Sequence, residues 1–131
     1  MNNIFQYLYD KKGKQIPFKA KLIYNTPLNE NDLIFKGSLY LHKTNITSLP
    51  DNLTVNGDLN ICISDISYLP NNLIVNGWLD LSFTIISELP DNLIVNSDLC
   101  CNYTPLADKI YNNPLLLIKY SKQVKGKIIY E

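Results

Sequence analysis

LPDNLTVNGDLNICISDISY (49–68), LPNNLIVNGWLDLSFTIISE (69–88) and LPDNLIVNSDLCCNYTPLAD (89–108) are near-copies of one 20-residue unit. The block before them, NENDLIFKGSLYLHKTNITS (29–48), keeps the frame without the opening Leu-Pro. A fixed period of about twenty residues is the signature of a solenoid, whose units bury too little alone and join into one core by stacking. Two short alternating runs, LxV and LxL, recur in each unit, and alternation at period two puts one set of side chains inside. That set is Leu53, Val55, Leu59, Ile61, Ile66 and Leu69 in the second coil, and Leu73, Val75, Leu79, Leu81, Ile86 and Leu89 in the third. The predicted fold is mainly β: a single-domain solenoid of four 20-residue coils.

Asn-Gly separates the two runs and marks one corner. Gly57 and Gly77 are expected there for their tolerance of positive φ, with Gly37 serving the first coil. Ser97 replaces glycine in the last coil and predicts an altered corner. Leu-Pro marks another corner, where Pro50, Pro70 and Pro90 fix φ. Asn52, Asn72 and Asn92 form one column and Asn56, Asn76 and Asn96 another. Their expected role is to satisfy turn backbone groups, with ligand binding as the alternative.

The stretch LDLSFTIISELP (79–90) resembles the leucine-rich-repeat core, L-x-L-x-x-N-x-L, followed by the Leu-Pro of the short bacterial class found in secreted effectors. The likeness recurs in frame over residues 29–108. It implies a curved solenoid whose sheet side binds proteins. At the inward Asn of that pattern stand Thr44, Ser64, Thr84 and Thr104, hydroxyls expected to bond backbone between coils. A straighter β-solenoid therefore stands beside the curved one. The ligase domain carried by some of those effectors has no counterpart here.

The period breaks at both ends. In residues 1–28, IFQYLYD (4–10), KKGK (11–14) and QIPFKAKLIY (15–24) read as strand, turn and strand, an N-terminal hairpin cap. In residues 109–131, Asn113 as N-cap and Pro114 as first helical residue predict a short helix over LLLIKYSKQ (115–123), with GKIIYE (126–131) as a final strand. An all-strand C-terminal cap is the alternative.

Net charge is zero but segregated. Residues 29–108 hold two lysines against ten acids, a net −8. Each flank holds five lysines against one acid, a net +4. All twelve basic residues are lysine, and the wealth of Asn and Ile points to an AT-rich coding sequence, bacterial or phage. No apolar run approaches the ~20 residues of a membrane helix. The N-terminus does not read as a secretory signal. Cys62, Cys100 and Cys101 form no zinc or disulfide pattern. A cytoplasmic protein without cofactor or metal is expected.

His42, the single histidine, has no evident catalytic partner, and no nucleophile elbow or phosphate loop appears. The expectation is a non-enzymatic interaction module. Outward positions give the columns Ser38/Asp58/Trp78/Asp98, Tyr40/Asn60/Asp80/Cys100, His42/Cys62/Ser82/Asn102 and Lys43/Ile63/Phe83/Tyr103. Candidate partner-binding residues are Trp78, Asp80, Phe83, Tyr103, Ile63, Tyr40, Asp58 and Asp98, because aromatic groups rimmed by acids suit a protein hot spot. Against this, Phe83 and Tyr103 are also placed to pack on each other as cross-strand neighbours.

The partner class implied is a protein, in one version a basic nucleic-acid-binding protein for which the −8 block acts as decoy or inhibitor. Direct nucleic-acid binding is not expected, since the lysines lie in the caps. Two alternatives remain. One is a self-associating structural solenoid, positive tips on negative middles. The other is a glycan-binding or glycan-hydrolysing solenoid using Asp58 and Asp98, about 9.6 Å apart at two strand spacings.

Overall fold

A computed structural model describes residues 17–131. IFQYLYD and KKGK, the first arm and turn of the expected hairpin, lie outside the described residues. The second arm is corrected. QIPFKAKLIY contributes helix α1, Phe18–Ile23, rather than a strand. Pro17 precedes it with φ −59°, a value compatible with helix entry, and Phe18 is its buried residue. The Phe18 ring lies 5.5 Å from that of Phe35 in the first coil, so the helix covers the start of the core.

A 3-10 turn, Glu30–Leu33, leads into the repeats. Each coil then carries two two-residue strands: β1 Ile34–Phe35 and β2 Leu39–Tyr40; β3 Thr54–Val55 and β4 Leu59–Asn60; β5 Ile74–Val75 and β6 Leu79–Asp80; β7 Ile94–Val95 and β8 Leu99–Cys100. They stack into two parallel sheets, β1-β3-β5-β7 and β2-β4-β6-β8, each strand in register with the residue twenty positions on. The protein is a β-solenoid. The inward set assigned from the alternation is buried throughout, and Cys101 joins it. Burial pushes the Cys101 thiol up to about 12, so it remains protonated at neutral pH.

Helices α2, Pro105–Asn112, and α3, Leu115–Tyr120, follow the fourth coil. Thr104 caps α2 by accepting from Ala107 N–H at 3.0 Å, with Pro105 in the first turn. The helix expected after Pro114 is present. Asn113, however, ends α2 as its C-cap, and Pro114 occupies the N-cap place of α3. Strand β9, Ile128–Ile129, then joins the second sheet parallel to β8.

The C-terminal stretch is more than a cap. Leu99 pairs with Ile128, Cys100 with Ile129, and Val95 with Val124. VKGKIIYE (124–131) thus lies on VNSDLCCN (95–102) as part of a fifth coil, offset by 29 residues because the two helices enlarge the connection. Its V-x-G-x-I spacing matches the repeat and was the available signal. The changed period hid it.

Two corner residues act differently from the sequence expectation. Gly57 and Gly77 do not have positive φ; among the described glycines only Gly37 does, at 98°. Gly57 and Gly77 are required by close approach instead. A Cβ on Gly57 would fall 2.7 Å from the Gly37 carbonyl carbon, and one on Gly77 would fall 2.8 Å from that of Gly57. Gly126 continues the column, where a Cβ would meet the Ser97 carbonyl carbon at 2.7 Å. The corner bonds do not set Ser97 apart: Gly77 N–H donates to Gly57 O at 2.9 Å and Gly126 N–H to Ser97 O at 3.0 Å, while neither Gly57 to Gly37 nor Ser97 to Gly77 is joined in this way.

The hydroxyl column is also corrected. Thr44, Ser64, Thr84 and Thr104 donate to the carbonyls of Leu41, Ile61, Leu81 and Cys101 within their own coils, at 2.6–2.8 Å, not between coils. Amide-to-amide bonds between coils come from asparagine. Asn72 Nδ2 donates to Asn52 Oδ1 at 2.9 Å, Asn76 to Asn56 at 3.0 Å, and Asn96 to Asn76 at 2.7 Å.

The second ladder ends at Asn96 Oδ1, which is buried without a hydrogen-bond partner. Lys125 occupies the next place in that column, its N–H donating to Val95 O as Asn96 N–H donates to Val75 O. Lys125→Asn is expected to supply the missing amide and raise the unfolding free energy by about 1 kcal/mol, the net worth of one hydrogen bond. Urea denaturation, with an unchanged slope, checks this.

At the other end, Asp32 ties α1 to the first coil. It takes Lys21 Nζ at 2.8 Å and Asn29 N–H at 2.9 Å. Burial opposes the charge, but the Lys21 hydrogen bond, the Asn29 N–H and the Lys21 charge outweigh it and hold the carboxyl below its usual value. A lowered folded pKa gives stability that is present above the free value of 3.8 and lost as pH falls through the folded one. Wild type should therefore lose stability on acidification below pH 3.8 in part through this group. Asp32→Asn should cost about 2 kcal/mol at neutral pH, as for a charged hydrogen bond, and flatten that acid limb. Thermal unfolding of both proteins across the acid range measures it.

Candidate functional site

The candidate residues divide into three groups by what their backbone and side chains do. Asp58 and Asp98 are structural caps at the corner. Asp58 Oδ1 accepts Trp78 N–H at 2.9 Å, and Asp98 Oδ1 accepts Lys127 N–H at 2.8 Å. Ser38 Oγ takes Asp58 N–H in the same way at 2.9 Å. The column that sequence reading treated as acidic surface is thus a ladder of acceptors for the next coil. Asp58 and Asp98 do stand two coils apart, but each directs one oxygen into the scaffold. Trp78 sits between them, half-buried.

Tyr40 and Asp80 lie on the outer face of the second sheet. Tyr40 is exposed and meets His42 edge-on, ring centroids 6.4 Å apart. Asp80 is half-buried, and its Oδ1 accepts Ser82 N–H at 3.0 Å, as Asn60 Oδ1 accepts Cys62 N–H one coil earlier. Burial, with the Asp80 charge adding to it, pushes the Cys62 thiol up.

Ile63, Phe83 and Tyr103 form the third group, at the turn that ends each sheet strand. Here the thiol and hydroxyl columns give way to a corner, not a flat face. Lys43, Ile63, Phe83 and Tyr103 all have left-handed backbone, with φ of 58°, 52°, 58° and 58°. The Thr and Ser hydroxyls described above close these turns from the following position, and inter-coil bonds hold them in line. Ile63 N–H donates to Ser82 O at 3.1 Å, Phe83 N–H to Asn102 O at 3.0 Å, and Tyr103 N–H to Glu131 O at 3.0 Å.

Phe83 and Tyr103 stack, ring centroids 4.7 Å apart and 18° from parallel. The expected packing of one on the other is therefore present. It does not bury them: Ile63, Phe83 and Tyr103 keep 48%, 56% and 67% of their surface, and Ile85 keeps 65%. Sequence reading missed Ile85, although it lies two residues past Phe83 on the far side of the turn. Asp65, Glu88 and Asp108 are exposed in the following segments of the coils.

The structure thus aligns Ile63, Phe83 and Tyr103 in an exposed apolar ridge, with Lys43 at its first-coil end. Trp78 is five residues before Phe83, at the position preceding β6.

A left-handed φ costs an ordinary residue roughly 1–2 kcal/mol, and more concern attaches to a β-branched one such as Ile63. Asparagine relaxes that cost, and this chain uses it at the left-handed Asn25, Asn52 and Asn72. At the ridge the same conformation carries exposed apolar side chains instead. Strain of this kind persists only where surrounding structure imposes it, and it clusters at binding sites.

Among the described residues no group of three or more His, Cys, Asp and Glu is placed to hold a metal, and no helix is long and apolar enough to cross a membrane. Comparison with protein-family models, with curated proteins and with solved structures found no match for the chain.

Proposed function

We propose that the protein is a non-enzymatic interaction module, of leucine-rich-repeat-like type, that docks its Ile63–Phe83–Tyr103 ridge into an apolar groove of a partner protein with basic flanks. One observation carries the reading: exposed apolar side chains stand at left-handed backbone positions where asparagine would be less strained. The net −8 of residues 29–108 selects the basic rim, and in its sharper form makes the module an acidic decoy for a nucleic-acid-binding protein. The likeness of 79–90 to short leucine-rich repeats supports protein binding as the use of such a scaffold.

The test is a Phe83→Asn/Tyr103→Asn variant compared with wild type in affinity capture. Asparagine relaxes the backbone by about 1–2 kcal/mol per site while the lost stack forfeits about 0.5–1.5 kcal/mol. The variant should therefore unfold at a free energy about 0.5–3.5 kcal/mol higher, and it should lose the captured partner. Capture that weakens steeply with salt supports the decoy form. A variant that loses stability yet keeps its partner makes the ridge packing, and the reading falls.

A further inference from the structure

A second exposed apolar surface lies at the opposite pole of charge. In α3, Leu116, Leu117 and Tyr120 pack on the core. At 100° per residue, Leu115 and Ile118 project on the other side, with Lys122 one turn further on. Leu115, Ile118 and, at the end of α2, Tyr111 are 71%, 62% and 77% exposed. Lys119 and Lys122 are exposed with them, Lys119 lying 3.9 Å from Asp91 in a solvent-exposed pair that contributes little. The surface is apolar with a basic rim, inside a segment of net +4. The ridge is apolar, inside a block of net −8. One chain therefore presents two surfaces that complement each other in polarity and in charge.

We propose that the outward pole of the C-terminal helices in one molecule docks on the Ile63–Phe83–Tyr103 ridge of a second copy. This inference rests on the reading of the ridge as a docking face and names an occupant for it. The two surfaces differ, so the contact is heterologous. Each added molecule leaves one ridge and one helical pole free, and growth gives an open chain instead of a closed dimer. A few apolar residues per side place the contact in the small, weak class, below about 1,200 Å². Its charge complementarity makes it salt-dependent, since the screening length falls from about 30 Å at 0.01 M to about 3 Å at 1 M salt.

Sedimentation equilibrium tests it, with three proteins of unchanged circular dichroism: wild type, Leu115→Asp/Ile118→Asp, and Phe83→Asn/Tyr103→Asn. All four substituted positions are more than half exposed, so folding should tolerate them. Wild type should gain mass continuously with concentration at low salt and lose that gain at high salt. Each variant alone should remain a monomer. Their mixture should form a dimer and stop there, because one retains only the ridge and the other only the helical pole. Wild type that remains a monomer at low salt overturns the proposal, as does a mixture without dimers. Binding of that monomer to vesicles of anionic phospholipid, lost in Leu115→Asp/Ile118→Asp, overturns it in favour of a membrane surface. A monomer that still captures a foreign protein through the ridge leaves the interaction module standing and removes only the second copy as its partner.

Discussion

Replacement of Leu79 by alanine should lower the unfolding free energy by about 4 kcal/mol, near the upper end for removal of a buried leucine side chain. Leu79 is fully buried in β6, in the middle of the second sheet, between Leu59 and Leu99 in the core column. The cost of such a truncation depends on how far the surroundings can collapse. Here they cannot follow. Leu59 N–H is tied to Trp78 O and Leu79 N–H to Asp98 O, both at 2.9 Å, so the coils keep their spacing and the cavity remains.

The loss also falls on the middle of a stack in which each coil contacts only its neighbours. A domain of this length holds roughly 7–20 kcal/mol in all, so the change should be plain in guanidinium denaturation. Leu115→Ala, at an exposed position, should change stability by less than about 0.5 kcal/mol and serves as the comparison. An equal loss at both positions would mean that the stacked columns are not the core.

Gly77→Ala should cost about 3 kcal/mol, the upper range for overpacking, although alanine is ordinarily a better-tolerated residue than glycine. Gly77 does not have positive φ, so the penalty is not backbone strain. The new methyl would lie 2.8 Å from the Gly57 carbonyl carbon and 2.9 Å from Asp58 N, and it would press on the Asp58 carboxylate. That carboxylate accepts Trp78 N–H, so one methyl group both forces two coils apart and displaces an acceptor that joins them. Gly37→Ala is the contrast. Gly37 has φ 98° and nothing within 4 Å of its missing Cβ, so only strain of about 1–2 kcal/mol opposes alanine there. Thermal unfolding of the two variants should rank Gly77 well above Gly37. The reverse order would mean that turn conformation, not coil spacing, sets the corner.

The sequence by itself determined the solenoid, its period and which side chains face inward. These follow from local rules: a 20-residue repeat forces equivalent residues into register, and alternation assigns the faces without knowledge of the partner strand. It also placed Phe83 beside Tyr103, because a column is only a repeat read sideways. Tertiary structure alone decided the rest. The role of Gly77 depends on how close a neighbouring coil comes, which no single unit encodes. Asp58 and Asp98 change from surface acids to backbone caps because their acceptors meet N–H groups twenty or more residues away. The fifth coil escaped notice because α2 and α3 lengthen the connection and break the period, while register with β8 is restored by pairing in space. The ridge itself joins the two levels. Its residues are legible as a column, but the left-handed turn that holds them out, and makes their apolar character costly, exists only in the folded chain.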